Sequence, residues 1–312
     1  MDNPYLSPQR VRAALHSLDL RPTRGMGQNF LIDPFALDSI VQAADLSASD
    51  MVVEVGPGLG VLTWELLRGA GQVVSVELDK RLAARLHEEF AGSTLRIVQS
   101  DVLRLSPAEI LAQAGEPPAR PYKLVANLPY AITAPVLRHF LEGAPPPELS
   151  VVLVQWEVAQ RICGRPGDLS VLAHSVQIYA EPEIVARVPA SSFYPAPAVD
   201  SAVLRMRRRS ALPVEVDSVA GLFRVIKAGF LQPRKQMGNA LPGGLAALGT
   251  ELARDVALAA LTAADVDHTR RAETLSLEEW AAIYRFLLHL PGRLSPASEM
   301  PPSTFPEDSG RF

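Results

Sequence analysis

The chain has 312 residues, of which 48% are hydrophobic and 21% charged, with a formal net charge of −4. This balance describes a globular protein with room for one large domain and a smaller one. It excludes global attraction to nucleic acid, so any such contact must come from local patches. The single cysteine, Cys163, excludes an intramolecular disulfide and argues against a cysteine-rich zinc site; no metal is expected.

Met1-Asp2-Asn3-Pro4-Tyr5 lacks a basic-then-apolar leader, and no apolar run approaches membrane-spanning length. A cytoplasmic location away from membranes is expected. Ser7-Pro8, followed by Val11, Ala14, Leu15 and Leu18, predicts an amphipathic helix with Ser7 as its cap and Pro8 in its first turn. Arg24 to Leu31 is polar, glycine-bearing and aperiodic. It reads either as a linker or as a loop lying over a bound cofactor. Asp33-Pro34 then opens a helix through Phe35, Leu37, Ile40 and Val41.

The next stretch organises the rest. Met51-Val52-Val53-Glu54-Val55 is a short apolar run that flows into Gly56-Pro57-Gly58-Leu59-Gly60, with helical spacing from Val61 onward. A buried strand, a tight turn and a helix start follow from it. Glycines at Gly56 and Gly58 let the backbone bend and let a ligand approach without a Cβ in the way. This is the cofactor corner of a Rossmann-like sheet. The dinucleotide spacing is G-x-G-x-x-G, whereas here the third glycine comes one residue early. The Glu54 carboxylate would also repel a pyrophosphate. S-adenosylmethionine, a cationic ligand without phosphate, fits better, and a nicotinamide oxidoreductase is disfavoured.

Val73 to Asp79 reads as a second strand, and Glu77 is placed to accept from ribose hydroxyls. Leu95 to Asp101 reads as a third strand, with Asp101 placed for the adenine amino group. Tyr122 to Ala126 is a fourth, running into Asn127-Leu128-Pro129-Tyr130. The exocyclic nitrogen of adenine is a poor nucleophile because its lone pair is delocalised into the ring. Accepting both N–H bonds, at the Asn127 side-chain carbonyl and the Leu128 main-chain carbonyl, favours a pyramidal nitrogen. Pro129 keeps the Leu128 carbonyl out of a helix. Tyr130 can stack on an extruded base, with Phe193 a candidate for its opposite face. No general base is needed, because the amine loses its proton after transfer.

Helices are expected over Thr133 to Leu141, Glu157 to Ile162 and Leu169 to Tyr179, with a fifth strand over Ser150 to Gln155. Glu183 to Pro189 and Val199 to Arg207 read as a closing hairpin, giving a mostly parallel α/β sheet. Beyond Leu212 the pattern is helical: Val219 to Phe230, Arg234 to Leu241, Glu251 to Leu261 and Leu277 to Leu290. The domain reading is an N-terminal arm over 1–24, a catalytic domain over 25–210, a helical RNA-contacting domain over 211–291 and a disordered tail over 292–312. Arg205, Arg207, Arg208 and Arg209, with Lys227, Arg234 and Lys235, are expected to form one face gripping RNA phosphates.

Six motifs in order carry a resemblance: Gly27 to Leu31, Glu54 to Gly60, Glu77-Leu78-Asp79 with Asp101, Asn127 to Tyr130, Phe193 to Ser201, and Arg271 to Ser276. From about Val11 to Leu290 the chain closely resembles the KsgA/RsmA-type ribosomal RNA adenine dimethyltransferases. The resemblance implies a class I methyltransferase sheet with a small C-terminal all-helical domain. It implies S-adenosylmethionine contacts at Gln28, Asn29, Leu31, Gly56, Gly58, Glu77, Asp101 and Asn127. Its implied substrate is two adjacent adenosines in the hairpin loop near the end of small-subunit rRNA, dimethylated at N6 by a monomer acting on a pre-ribosomal particle. Trp156 stands where the family often has lysine, the Cys163 to Asp168 loop is short, and Pro233 and Gly238 stand where arginine is frequent. Two alternatives share the fold: a class that methylates one adenosine of large-subunit rRNA, and a non-catalytic assembly factor. The Phe193 to Ser201 loop argues against the first and the intact Asn127 to Tyr130 motif against the second.

Overall fold

Five consecutive buried residues, Met51–Val55, form β1, an inner strand of a seven-stranded sheet. The computed structural model describes residues 3, 5–20 and 29–289, so Gln28 with the rest of loop 21–28, and the tail expected over 292–312, lie outside it. The other strands are β2 (Gln72–Glu77), β3 (Leu95–Gln99), β4 (Lys123–Asn127), β5 (Leu149–Gln155), β6 (Ala180–Val188) and β7 (Ser201–Arg208). Their spatial order is 3-2-1-4-5-7-6. β1 to β5 are parallel, and β7 is antiparallel to both β5 and β6. β1 is buried at every position and β5 at all but Gln155, as strands covered on both faces must be.

The chain winds outward through β2 and β3, then crosses back to β4 on the other side of β1. That reversal opens a crevice at the carboxyl ends of β1 and β4, where open α/β sheets hold their ligands. The last two strands pair as expected, but β7 inserts between β5 and β6, so the later strand is the inner one.

Helices α1 (Pro8–Ser17), α2 (Pro34–Ala44), α3 (Val61–Gly69), α4 (Lys80–Glu89), α5 (Pro107–Gln113), α6 (Thr133–Glu142) and α7 (Trp156–Ile162) belong to the same compact unit as the sheet. Asp33 caps α2 by accepting from Phe35 N–H, and Asp79 caps α4 by accepting from Arg81 and Leu82 N–H. Ser7 makes no such cap; its hydroxyl donates instead to Gln9 Oε1 at 2.9 Å. A short two-residue ladder pairs Phe30-Leu31 with Phe193-Tyr194.

The second unit comprises Gly164–Ile178 and the chain from Ser210. It holds α8 (Val171–Gln177), α9 (Val219–Phe230), α10 (Met237–Ala247), α11 (Arg254–Ala263) and α12 (Leu277–Leu288). The sequence reading keeps 164–178 in the catalytic domain. In the structure this segment clusters with the helices because His174 on α8 packs edge-on against Phe230 and Trp280. The helix expected from Arg234 starts at Met237, after the turn closed by Lys235 N–H on Gln232 O, and continues through Pro242 to Ala247. Gly244 allows α10 to lie against α9, where a Cβ would collide with the Ala228 carbonyl.

Candidate active site

The cleft at the carboxyl ends of β1 to β4 has a volume of about 670 Å³. Four separate strands supply its walls: Gly56 to Gly58 after β1, Glu77 to Leu82 after β2, Ser100 to Val102 after β3 and Asn127 to Ile132 after β4. Asn29, Phe30 and Leu31 complete it. Of the expected cofactor contacts, Asn29, Leu31, Gly56, Gly58, Glu77, Asp101 and Asn127 therefore meet in one place.

Gly56 and Gly58 have φ of +66° and +59°, a region in which a side chain is strained. A Cβ on Gly56 would touch only Pro129, at 3.8 Å, so the backbone there lies open to the Pro129 wall. A Cβ on Gly58 would press on the Phe30 ring at 3.2 Å. Glu77 Oε2 accepts from Gly58 N–H at 3.1 Å and Oε1 accepts from Asp79 N–H at 2.9 Å. These bonds tie the acid to the glycine turn. Burial raises the Glu77 pKa, against the pull of the backbone N–H groups.

Glu54 lies on the same wall, almost wholly buried. Thr63 and Ser75 hydroxyls both donate to its Oε2, each at 2.7 Å. Burial pushes its pKa up to about 7, with the two hydroxyls opposing the rise. Repulsion of a pyrophosphate by Glu54 therefore needs correction: near neutral pH the group is only partly charged, because water cannot reach it. It braces β1 against β2 and α3.

Asp101 places one oxygen on Leu103 N–H at 3.1 Å, and Arg104 stands 3.7 Å from the other. Asn127 Nδ2 donates to the Asn29 carbonyl at 3.3 Å. That bond orients the amide and leaves Oδ1 to accept. Leu128 is buried, and its N–H donates to Leu153 O at 3.2 Å. The turn that follows closes through Ile132 N–H on Pro129 O, so the Leu128 carbonyl takes no part in it. Tyr130 Oη and Ser201 Oγ share a hydrogen bond of 2.7 Å that fixes the Tyr130 ring to β7. Its pKa is raised by burial.

Phe193 does not join them. It is 3% exposed, pairs with Leu31 and belongs to the apolar core, so it offers no stacking face. The sequence cannot distinguish a buried aromatic from an exposed one inside an aromatic-proline loop. Among the wall residues that the sequence did not mark as site residues are Leu78, which is 68% exposed, and Val102. Each is the apolar neighbour of a strand-end acid, Glu77 or Asp101, and that repeated acid-then-apolar pair was the available signal. Together they can sandwich a flat ring.

The arginines at the end of β7 do not all present a free charge to one side. Arg205 pairs with Glu183 at 2.6 Å and Arg209 with Glu181 at 2.8 Å. Arg207 and Arg208 are exposed, but the two-residue period of a strand sends them to opposite faces. Arg208 lies near enough to Tyr122 and Tyr179 to favour their ionised forms. Arg207 stands opposite Leu149, at the amino end of β5, whereas Ser201 stands opposite Gln155 at the cleft end. Six strand residues, about 20 Å, separate the two. Lys227, Arg234 and Lys235 lie in the second unit; Lys227 is half-buried on α9, while Arg234 and Lys235 are exposed between α9 and α10. Gly238 is buried, where a Cβ would press on Leu258 and His268.

A family model described as "Ribosomal RNA adenine dimethylase" matches residues 21–287. The chain belongs to the ribosomal RNA adenine dimethylase family. It is therefore an S-adenosylmethionine-dependent rRNA adenine dimethyltransferase with rRNA as substrate. It is 47% identical over 272 residues to the ribosomal RNA small subunit methyltransferase A of Dehalococcoides mccartyi strain 195, covering 87% of this chain and 90% of that one. The protein of the same name from Moorella thermoacetica is 42% identical, with coverage of 91% and 98%. Among solved structures, the 23S rRNA methyltransferase ErmE superposes with a TM-score of 0.62 at 30% identity, covering 83% and 99%. A dimethyladenosine transferase from Plasmodium falciparum superposes at 0.67 with 23% identity, covering 83% and 96%, and shares the fold.

The cleft fits S-adenosylmethionine on its own chemistry. It presents a side-chain-free glycine turn, the acids Glu77 and Asp101 at successive strand ends, and apolar walls at Leu78 and Val102. Among the described residues no helix is long and apolar enough to cross a membrane.

Proposed function

We propose that the chain dimethylates N6 of two adjacent adenosines in the terminal hairpin loop of small-subunit (16S) rRNA. It would do so as a cytoplasmic monomer acting on a pre-ribosomal particle. The observation that carries this reading is the Asn127 to Tyr130 turn, set in the same cleft as the glycine turn and Glu77. The relatives at 47% and 42% identity, both named for the small subunit, support it over the large-subunit substrate named for the less similar ErmE.

S-adenosylmethionine supplies an electrophilic methyl group on a cationic sulfur. Glu77 accepts from the ribose hydroxyls, Asp101 from the adenine amino group, and Leu78 and Val102 hold the ring between them. Asn29 and Leu31 close the cleft from one side. Asn127 Oδ1 and the Leu128 carbonyl accept the two N–H bonds of the target nitrogen and leave its lone pair free to point across the cleft. Tyr130, held by Ser201, supports the extruded base. No side chain has to take a proton before transfer, because the nitrogen becomes acidic only as its new bond forms. Arg207, Arg234 and Lys235 are exposed cations suited to RNA phosphates.

The test is methyl transfer in vitro to small-subunit particles whose terminal hairpin is unmethylated. Two methyl groups on each adjacent adenosine are expected. Transfer of one methyl to a single large-subunit adenosine, with the small-subunit hairpin unmodified, contradicts the proposal.

A further inference from the structure

Helix α2 presents one residue that its own packing does not explain. Leu37, Ile40, Ala43 and Ala44 face the core, and the exposed positions are Pro34, Phe35, Asp38 and Gln42. A surface helix puts polar residues on its outward face. Phe35 is nevertheless 82% exposed, more than any other large apolar residue among those described. Its backbone is held firmly. Pro34 sets the first helical φ, and Asp33 Oδ1 accepts from Phe35 N–H at 2.9 Å. Asp33 Oδ2 accepts in turn from Ser192 Oγ at 2.6 Å. Single exposed apolar residues are ordinary on protein surfaces, so position decides what this one can do.

That position is the rim of the cleft. Lys123 Nζ, at the amino end of β4, donates to the Ala44 carbonyl at 3.2 Å, so the last turn of α2 lies at that end of the sheet. The first turn lies at the other end: Ile32 N–H donates at 2.9 Å to the Ser192 carbonyl, just past Val188, which stands opposite Ser201. The face is also fixed. Val125, Leu153 and Val203 share one core cluster with Leu37 and Ile40, while their strand neighbours Ala126, Val152 and Ala202 do not join it. By the two-residue period of a strand, Asn127 and Ser201 project to the same face as Val125 and Val203. Helix α2, the Asn127 amide and the hydroxyl that holds Tyr130 therefore lie on one side of the sheet. Leu31, on the cleft wall, precedes Phe35 by four residues, which limits their Cα separation to ~14 Å. The exposed ring is thus continuous with the cleft that takes rRNA. A phenyl ring carries no hydrogen-bonding group, and stacking on it tolerates any base because each has a π-face. We propose that Phe35 stacks on a nucleotide flanking the target adenosine where the RNA strand meets the cleft, and so positions the strand without reading its sequence. This rests on the proposed placement of the target at Asn127 to Tyr130.

The experiment uses the full chain, S-adenosylmethionine and small-subunit particles whose terminal hairpin is unmethylated. Failure of wild-type transfer would count against the substrate reading itself, and the inference would fall with it. Given wild-type transfer, Phe35→Ala and Phe35→Leu should each raise KM for the particles at least ~5-fold, the low end of the range for losing one stacked base. Leucine keeps the apolar bulk but has no plane. Phe35→Trp should keep KM within about twofold of wild type. The kcat should stay within about twofold in all three variants. Without particles, S-adenosylmethionine affinity and Tm should not fall. Wild-type KM in Phe35→Ala would overturn the inference. So would wild-type KM in Phe35→Leu, which would mark an apolar contact with a protein of the particle rather than a stacked base. A fall in cofactor affinity or Tm in Phe35→Ala without particles would show that the ring packs on its own chain, and would overturn it as well.

Discussion

The two ends of the same sheet behave differently. At the carboxyl end of β1 to β4, residues scattered between positions 29 and 132 converge on one cleft. At the far end of β7, four arginines within five consecutive positions disperse: Arg205 and Arg209 onto glutamates of β6, Arg207 and Arg208 onto opposite faces. Proximity in sequence thus says little about convergence in space. The switch of direction between β1 and β4 gathers distant residues, while the pleat separates neighbours.

Asn127→Ala should lower methyl transfer ~10²- to 10³-fold, the scale of losing one preorganised hydrogen-bonding group in the transition state, with RNA affinity nearly unchanged. Single-turnover kinetics retaining wild-type rate would reduce Asn127 to a turn residue that merely bonds Asn29.

Buried titratable groups sharpen the contrast between a site with partners and one without. Glu54, satisfied by Thr63 and Ser75, has its pKa raised to about 7. Its contribution to stability is full below its unfolded value near 4.5 and is lost as pH rises through 7. His174, in the second unit, is buried with both ring nitrogens unpartnered, and burial lowers its pKa to about 4. Its stability is full above 6.5 and is lost as pH falls toward 4, by roughly 3 kcal/mol. His174→Leu should therefore remove the part of that loss that falls between pH 6.5 and 4.5, about 2 kcal/mol, read from urea midpoints at those two pH values. An unchanged pH slope would mean that the imidazole finds water.

Next in size is Glu77→Gln. It keeps the shape and loses a charged acceptor, so calorimetry should show cofactor binding weaker by ~1.5–3 kcal/mol. Unchanged affinity would mean that Glu77 serves only Gly58 and Asp79. The smallest effect belongs to the far end. Arg207→Ala with Arg208→Ala should lower the slope of log affinity against log salt by no more than about one, because only one of the two can face a given RNA strand. A fall of two would show that the far end grips RNA as strongly as the sequence reading expected.

Most of the sheet was legible in the sequence because its strands are largely apolar runs, and β1 to β4 lead into glycine, acid or Asn-Leu-Pro-Tyr. Those strand ends also disclosed most of the cleft. Partner-dependent properties were not legible. The Phe193 ring is hidden by its pairing with Leu31, and Arg205 is neutralised by a glutamate 22 residues away. Glu54 looks like a free carboxylate until Thr63 and Ser75 fold around it. The insertion of β7 between β5 and β6 is a choice of sheet order that no local pattern encodes.

Dimethylation of adenine N6 in this cleft depends on the Asn127 to Tyr130 turn. Its most direct test is mass-spectrometric mapping of small-subunit rRNA from cells lacking the gene and supplied with either wild-type or Asn127→Ala protein. N6,N6-dimethyladenosine is expected at both adjacent loop adenosines with the wild type, and unmodified adenosines with the variant. Full dimethylation with the variant, or wild-type modification only at another site, would contradict it.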